Sequence, residues 1–129
     1  MTAPALRPGD VVLLFDGTVR PPKHKRFLCV VVAEGWFLRI NSRPHFPPHV
    51  PISAAANPGC LDYDSFVELR GVIELDMGEL AEALDRREAR ILGRIGAWTA
   101  AALVAAVEAA PTLNAAEKAA IAAALRALD

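Results

Sequence analysis

The chain has 129 residues, enough for one domain with its own core or a small domain with an appendage. A formal net charge of −1 excludes a polycation acting through bulk charge, and two cysteines do not make a disulfide framework. The longest apolar run, residues 100–107, is far short of the roughly 18 residues that span a bilayer, and residues 1–8 lack the apolar run of a secretory signal, so a cytoplasmic protein without membrane contact is expected.

Two compositional regimes meet near residue 77. In the first, Pro8-Gly9-Asp10 turns into a buried strand over Val11–Phe15, which Asp16-Gly17 ends. Pro21-Pro22 keeps the next segment irregular. A second strand is predicted over Phe27–Ala33, with Cys29 as a small buried hydrophobe. Glu34-Gly35 is a tight hairpin break, and Trp36–Ile40 is a third strand closed by Asn41-Ser42. One of Trp36 and Phe37 packs inside; the other could stack on a base. Residues 43–58 hold five of the ten prolines, leaving at most an edge strand around Val50–Ile52. Phe66-Val67 and Val72-Ile73 are short apolar runs interrupted by Arg70-Gly71. Short strands and brief turns point to a small closed barrel or a strongly bent sheet.

The second regime is helical. A short helix is expected over Gly78–Asp85 and a longer one over Arg86–Ala110, with Ile91, Ile95, Trp98, Ala102 and Ala105 on one face. Arg86, Arg87, Arg90 and Arg94 then form a solvated row paired with Glu82 and Glu88. Pro111 stops that helix, and Asn114 with Glu117 forms a capping box for a last one. Such an alanine-rich tail must pack on the sheet or on a second copy of itself, and one reading makes it the driver of assembly.

The chemistry is read from charge placement. Residues 1–60 carry seven Lys/Arg against three Asp/Glu, and residues 61–129 carry seven against twelve. A basic half attracts polyanions even in a neutral chain. No Walker loop, dinucleotide turn or nucleophile elbow is present. His45 and His49 with Asp62 or Asp64 could hold a metal, or be solvated loop residues, since Phe46-Pro47-Pro48 forbids a helix between the histidines. The basic constellation is fuller: Lys23, His24, Lys25 and Arg26, with Arg39, Ser42, Arg43 and His45. Lys23, His24 and Lys25 are read as loop residues, and Arg26 as the start of the second strand. Antiparallel pairing of strands two and three brings Arg26, Ser42 and Arg43 to one rim, as a phosphate site or as a solvated edge.

The order of these segments resembles that of the MazF/PemK-like toxins of toxin–antitoxin systems. Gly9-Asp10-Val11-Val12-Leu13-Leu14, Lys25-Arg26-Phe27-Leu28-Cys29-Val30, Leu38-Arg39-Ile40-Asn41-Ser42, Ser65–Leu69 and Arg90–Ile95 carry the resemblance across residues 8–110. Phe27 stands where the family usually has Pro, and the stretch after Pro111 is extra. The resemblance implies an α+β protein: a small SH3-like β-barrel over residues 1–77 and a C-terminal helical segment over 78–129, packed on the barrel or at a dimer interface. It further implies a homodimeric endoribonuclease that cleaves single-stranded RNA without metal or other cofactor and is blocked by a cognate antitoxin protein. Arg26 and Ser42 match the family's catalytic Arg and Thr or Ser. His24 is the neighbouring acid or base, and Lys23, Lys25, Arg39, Arg43 and His45 are the RNA-binding residues. The alternative is a binding module on the same barrel that docks nucleic acid or an acidic protein without cleaving.

Overall fold

The computed structural model describes residues 5–16, 23–44 and 47–128. Strands β1 (Asp10–Asp16), β2 (Lys23–Val31) and β3 (Trp36–Asn41) form an antiparallel meander. The turn between β2 and β3 needs Gly35: its φ is +69°, and a Cβ there would lie 2.6 Å from the Leu75 carbonyl oxygen. Strand β4 (His49–Ile52) tolerates Pro51 because it is an edge strand. Strands β5 (Ser65–Glu68) and β6 (Ile73–Glu74) share one edge of β3, β5 at Ile40–Asn41 and β6 at Trp36–Phe37. Arg70-Gly71 falls in the gap between them.

Helix α1 (Met77–Asp85) starts at Asp76, whose side chain accepts the Glu79 N–H at 2.9 Å. Strand β7 (Ala89–Arg94) follows, then α2 (Ala97–Ala109) and α3 (Ala115–Arg126). The capping box at Asn114 and Glu117 forms as expected. Among the described residues no helix is long and apolar enough to cross a membrane.

The protein is therefore α+β, with a seven-stranded antiparallel sheet and three helices among the described residues. Its hydrogen-bonded order is β4-β5-β3-β2-β1-β7, with β4 and β7 unpaired at the two ends, so the strands do not close into a barrel. One face carries Val11, Leu28, Val30, Leu38 and Ile40 against Leu103, Val107, Ile121 and Leu125 of α2 and α3. The other carries Val12, Phe27, Cys29 and Phe37 against Leu80 of α1. Both faces of the central strands are covered, which is why their sequences run continuously apolar instead of alternating. The alanine-rich tail packs on its own sheet, and its few large side chains do most of the attaching. Burying each Leu or Ile is worth about 1.5–3 kcal/mol.

Two expectations are corrected here. The helix expected across Arg86–Ala110 is split, because Ala89–Arg94 is a strand on the free edge of β1. Gly93 and Gly96 disfavour a helix, the β-branched Ile91 suits a strand, and apolar periodicity cannot separate the two over so short a run. Trp98 consequently leaves the core and is 91% exposed. The second correction is at β2, which begins at Lys23 instead of Phe27 and ends at Val31. Lys23, His24 and Lys25 are strand residues, paired with Asp16, Phe15 and Leu14 of β1. This end of the hairpin extends past the covered core, so polar side chains suit it.

Candidate functional site

Along β2, side chains alternate between the two faces of the sheet. His24 and Arg26 fall on the face of Leu28 and Val30, and Lys23 and Lys25 on the face of Phe27 and Cys29. Arg26 pairs in register with Leu13 on one side and Ile40 on the other, so it sits within the sheet and not at a strand start. Its side chain is 21% exposed. Nε donates to the Cys60 carbonyl at 3.1 Å, and Nη2 donates to Asp62 Oδ2 at 3.0 Å.

The segment that grips Arg26 is itself anchored. Asn57 is fully buried; its side chain donates to the Ser53 carbonyl at 2.8 Å and accepts the Gly96 N–H at 2.8 Å. This ties the segment to the start of α2. Gly93 of β7 allows Cys60 to lie against it, since a Cβ there would come 3.2 Å from the Cys60 sulfur. Burial pushes the Cys60 thiol up; Asp10 adds to that, and the Arg26 charge opposes it. Burial pushes Cys29 up to about 12, with Asp10 again adding. Neither thiol is an available nucleophile at neutral pH.

Two open clefts meet at His24 and Arg26. The smaller, of about 290 Å³, is also lined by Lys23, Lys25, Arg39 and Ser42, with Tyr63 at its side. It brings together most of the residues expected from the sequence. Arg43 is exposed and does not line it, and His45 lies outside the described residues. The larger, of about 760 Å³, runs toward β7 and is lined by Leu13, Asp62, Arg87, Glu88 and Arg90.

Sequence reasoning missed several of these residues. Asp62 is separated from Arg26 by 36 positions, and no local pattern joins them. The expected arginine row does not exist as one face: Arg86 pairs with Glu88 at 3.9 Å, Arg94 pairs with Asp10 at 3.3 Å, and Arg87 and Arg90 enter the larger cleft. The aromatic candidates also change. Phe37 is buried and Trp36 packs partly against the core, whereas Tyr63 is 56% exposed beside the smaller cleft. Exposed Phe15 meets the His24 ring edge-on at 5.2 Å. The candidate metal residues have other surroundings: His49 packs on Phe66 at 5.3 Å, Asp62 holds Arg26, and Asp64 accepts the Ala54 N–H at 2.9 Å. No group of three or more His, Cys, Asp or Glu among the described residues could hold a metal ion.

The arrangement can bind an anion. It offers a rigid guanidinium, two lysines, a further arginine and a hydroxyl around one opening, with an exposed ring beside it. Comparison with protein families, with curated proteins and with solved structures finds no match to this chain.

Proposed function

We propose that this chain is a MazF/PemK-type endoribonuclease toxin, which binds single-stranded RNA along β2 on an SH3-like scaffold and cleaves it without metal. The single observation that carries this reading is that Arg26 and Ser42 line one cleft with Lys23, Lys25, Arg39 and His24 around them. Arg26 binds the phosphate from its face of the sheet, Lys23 and Lys25 at the same strand end raise the local positive potential, and Tyr63 offers a ring on which a base can stack. His24 takes the proton of the 2′-hydroxyl. The 2′-oxygen bonds to phosphorus as the bond to the 5′-oxygen breaks, and the leaving oxygen takes its proton from water. Arg26 stabilises the charge that develops on the non-bridging phosphoryl oxygens, and Ser42 donates a hydrogen bond to one of them. A cognate antitoxin, a homodimeric assembly and a cytoplasmic site of action belong to the same reading.

The test is incubation of the protein with single-stranded RNA in the presence of a chelator, beside Arg26→Ala and His24→Ala. The reading expects cleavage by the wild type and a loss of about 100-fold or more in Arg26→Ala. Equal cleavage by wild type and variant overturns it.

A second reading, binding without cleavage, is favoured by one observation: two nitrogens of the Arg26 guanidinium are already engaged, by Cys60 and Asp62. It expects salt-sensitive RNA binding and no cleavage product.

A further inference from the structure

We propose that the larger cleft is a second phosphate subsite, in which Arg87 and Arg90 hold the backbone of the same single-stranded RNA that passes Arg26. The inference rests on the RNA reading above and extends the bound strand across β2 toward β7.

His24 and Arg26 line both clefts, so a chain-like ligand seated in the smaller one continues into the larger without leaving the protein surface. The larger cleft, at about 760 Å³, has the size of a ligand site and not of a surface crease. Both carboxylates in its wall are already countered: Asp62 by Arg26 at 3.0 Å and Glu88 by Arg86 at 3.9 Å. Arg87 and Arg90 have no carboxylate partner among the described residues. The cleft therefore presents to a ligand two cations without a carboxylate partner, while Asp62 stays on Arg26, whose guanidinium keeps further N–H groups for a phosphate in the smaller cleft.

The backbone at Arg87 is a second, independent observation. Its φ is +62°, the one left-handed non-glycine residue among the described residues. It follows the cap of α1: the Glu88 N–H donates to the Ala83 carbonyl at 2.9 Å and the Arg87 N–H to the Leu84 carbonyl at 3.2 Å. Glycine is the default at this helix-ending position, and an L-residue there is strained by its Cβ. Arg87 stands at a position where glycine would be the less strained choice, and it lines the cleft. Strain of this kind gathers at binding sites. Arg90 is held differently, on β7 in register with Leu13 of β1, so its position is set by the sheet.

The contact proposed for both cations is to phosphate, which every nucleotide carries, so it is independent of sequence. Arg87→Gly removes the charge and relieves the backbone, so this variant folds at least as stably as the wild type; a thermal melt checks that. Arg90→Gln removes the second charge from an exposed strand position. Binding of a fluorescent single-stranded oligoribonucleotide and of a dinucleotide is followed across a salt series. The double variant is expected to bind the longer strand about tenfold more weakly and to lower the salt slope by roughly 1.4, with the dinucleotide affinity unchanged. If the wild type binds the longer strand and the double variant keeps its affinity and slope, this inference falls and the Arg26 reading stands. If the wild type binds neither ligand, both fall. An equal loss for both ligands also overturns the subsite, because the arginines would then act on the Arg26 cleft itself.

Discussion

Arg26 and Arg94 each donate to an aspartate, and the two pairs are built from the same groups in opposite surroundings. Arg94 joins the end of β7 to Asp10 at the start of β1, and the Asp10 side chain is only 8% exposed. Asp10 also accepts the Arg7 N–H at 2.9 Å. At the cleft, the Asp62 side chain that holds Arg26 is 77% exposed. Exposure of the carboxylate decides what each pair is for. A buried pair cannot be exchanged without stranding a charge, whereas an exposed one is screened and replaceable. Of the two pairs, only that of Arg26 has a carboxylate that lies open to solvent.

Three substitutions break or sharpen this contrast. The largest effect is expected from Arg94→Ala, which leaves the Asp10 carboxylate buried without its cation. A loss of about 3 kcal/mol in urea unfolding is expected; a loss below about 1 kcal/mol would mean that the Arg7 backbone alone satisfies Asp10. The pH dependence has a definite sign. Burial pushes the Asp10 carboxyl up, partly offset by the Arg7 N–H and charge, so the folded chain holds that proton more firmly than the unfolded chain does. Stability from this group is greatest at acid pH, near the ordinary carboxylate value, and declines as pH rises through the folded value. The deficit of Arg94→Ala is therefore smaller in mild acid than at neutrality.

Asn57→Ala comes next. It removes the anchor of the segment that grips Arg26 and leaves the Ser53 carbonyl and Gly96 N–H without their partner. About 2 kcal/mol of stability is expected to be lost, together with RNA affinity in the same variant. Unchanged affinity would show that Arg26 needs no such frame. Asp62→Asn has the smallest effect on folding, below about 1 kcal/mol and fading with salt. Its effect on binding is opposite in sign to that of Asn57→Ala: freeing Arg26 tightens RNA binding, and a weaker complex would make Asp62 part of the binding surface.

The parts of this molecule that were legible in the sequence are those fixed by neighbours in the chain. Glu34-Gly35 marks the hairpin, and antiparallel pairing of β2 and β3 brings Arg26 and Ser42 to one opening, although the turn takes residues 32–35 and the register, with Arg26 opposite Ile40, was not legible. The capping box of α3 is equally local. What was not legible depends on distant partners. Asp62 reaches Arg26 only because Asn57 fixes the segment between them, through Gly96 of another element. The basic run Lys23–Lys25 reads as loop, and it is strand because β1 continues alongside it. Arg87 carries no signal while a second helix is expected to run from Arg86; α1 ends at Asp85 as expected, and Arg87 belongs to the turn between it and the strand β7.

That strand also sets the order in which the chain can be completed. Strand β1 has β2 beside it in the chain, but its other edge is paired by β7, so synthesis must reach Arg94 before that partner is complete. For that interval the nascent chain displays a long apolar strand edge, the kind of surface on which copies join edge to edge. Leu128 arrives later still, within reach of Gly9, where an added Cβ would meet its Cδ1 at 2.8 Å. The Gly9 turn that leads into β1 is thus closed by a residue that follows α3.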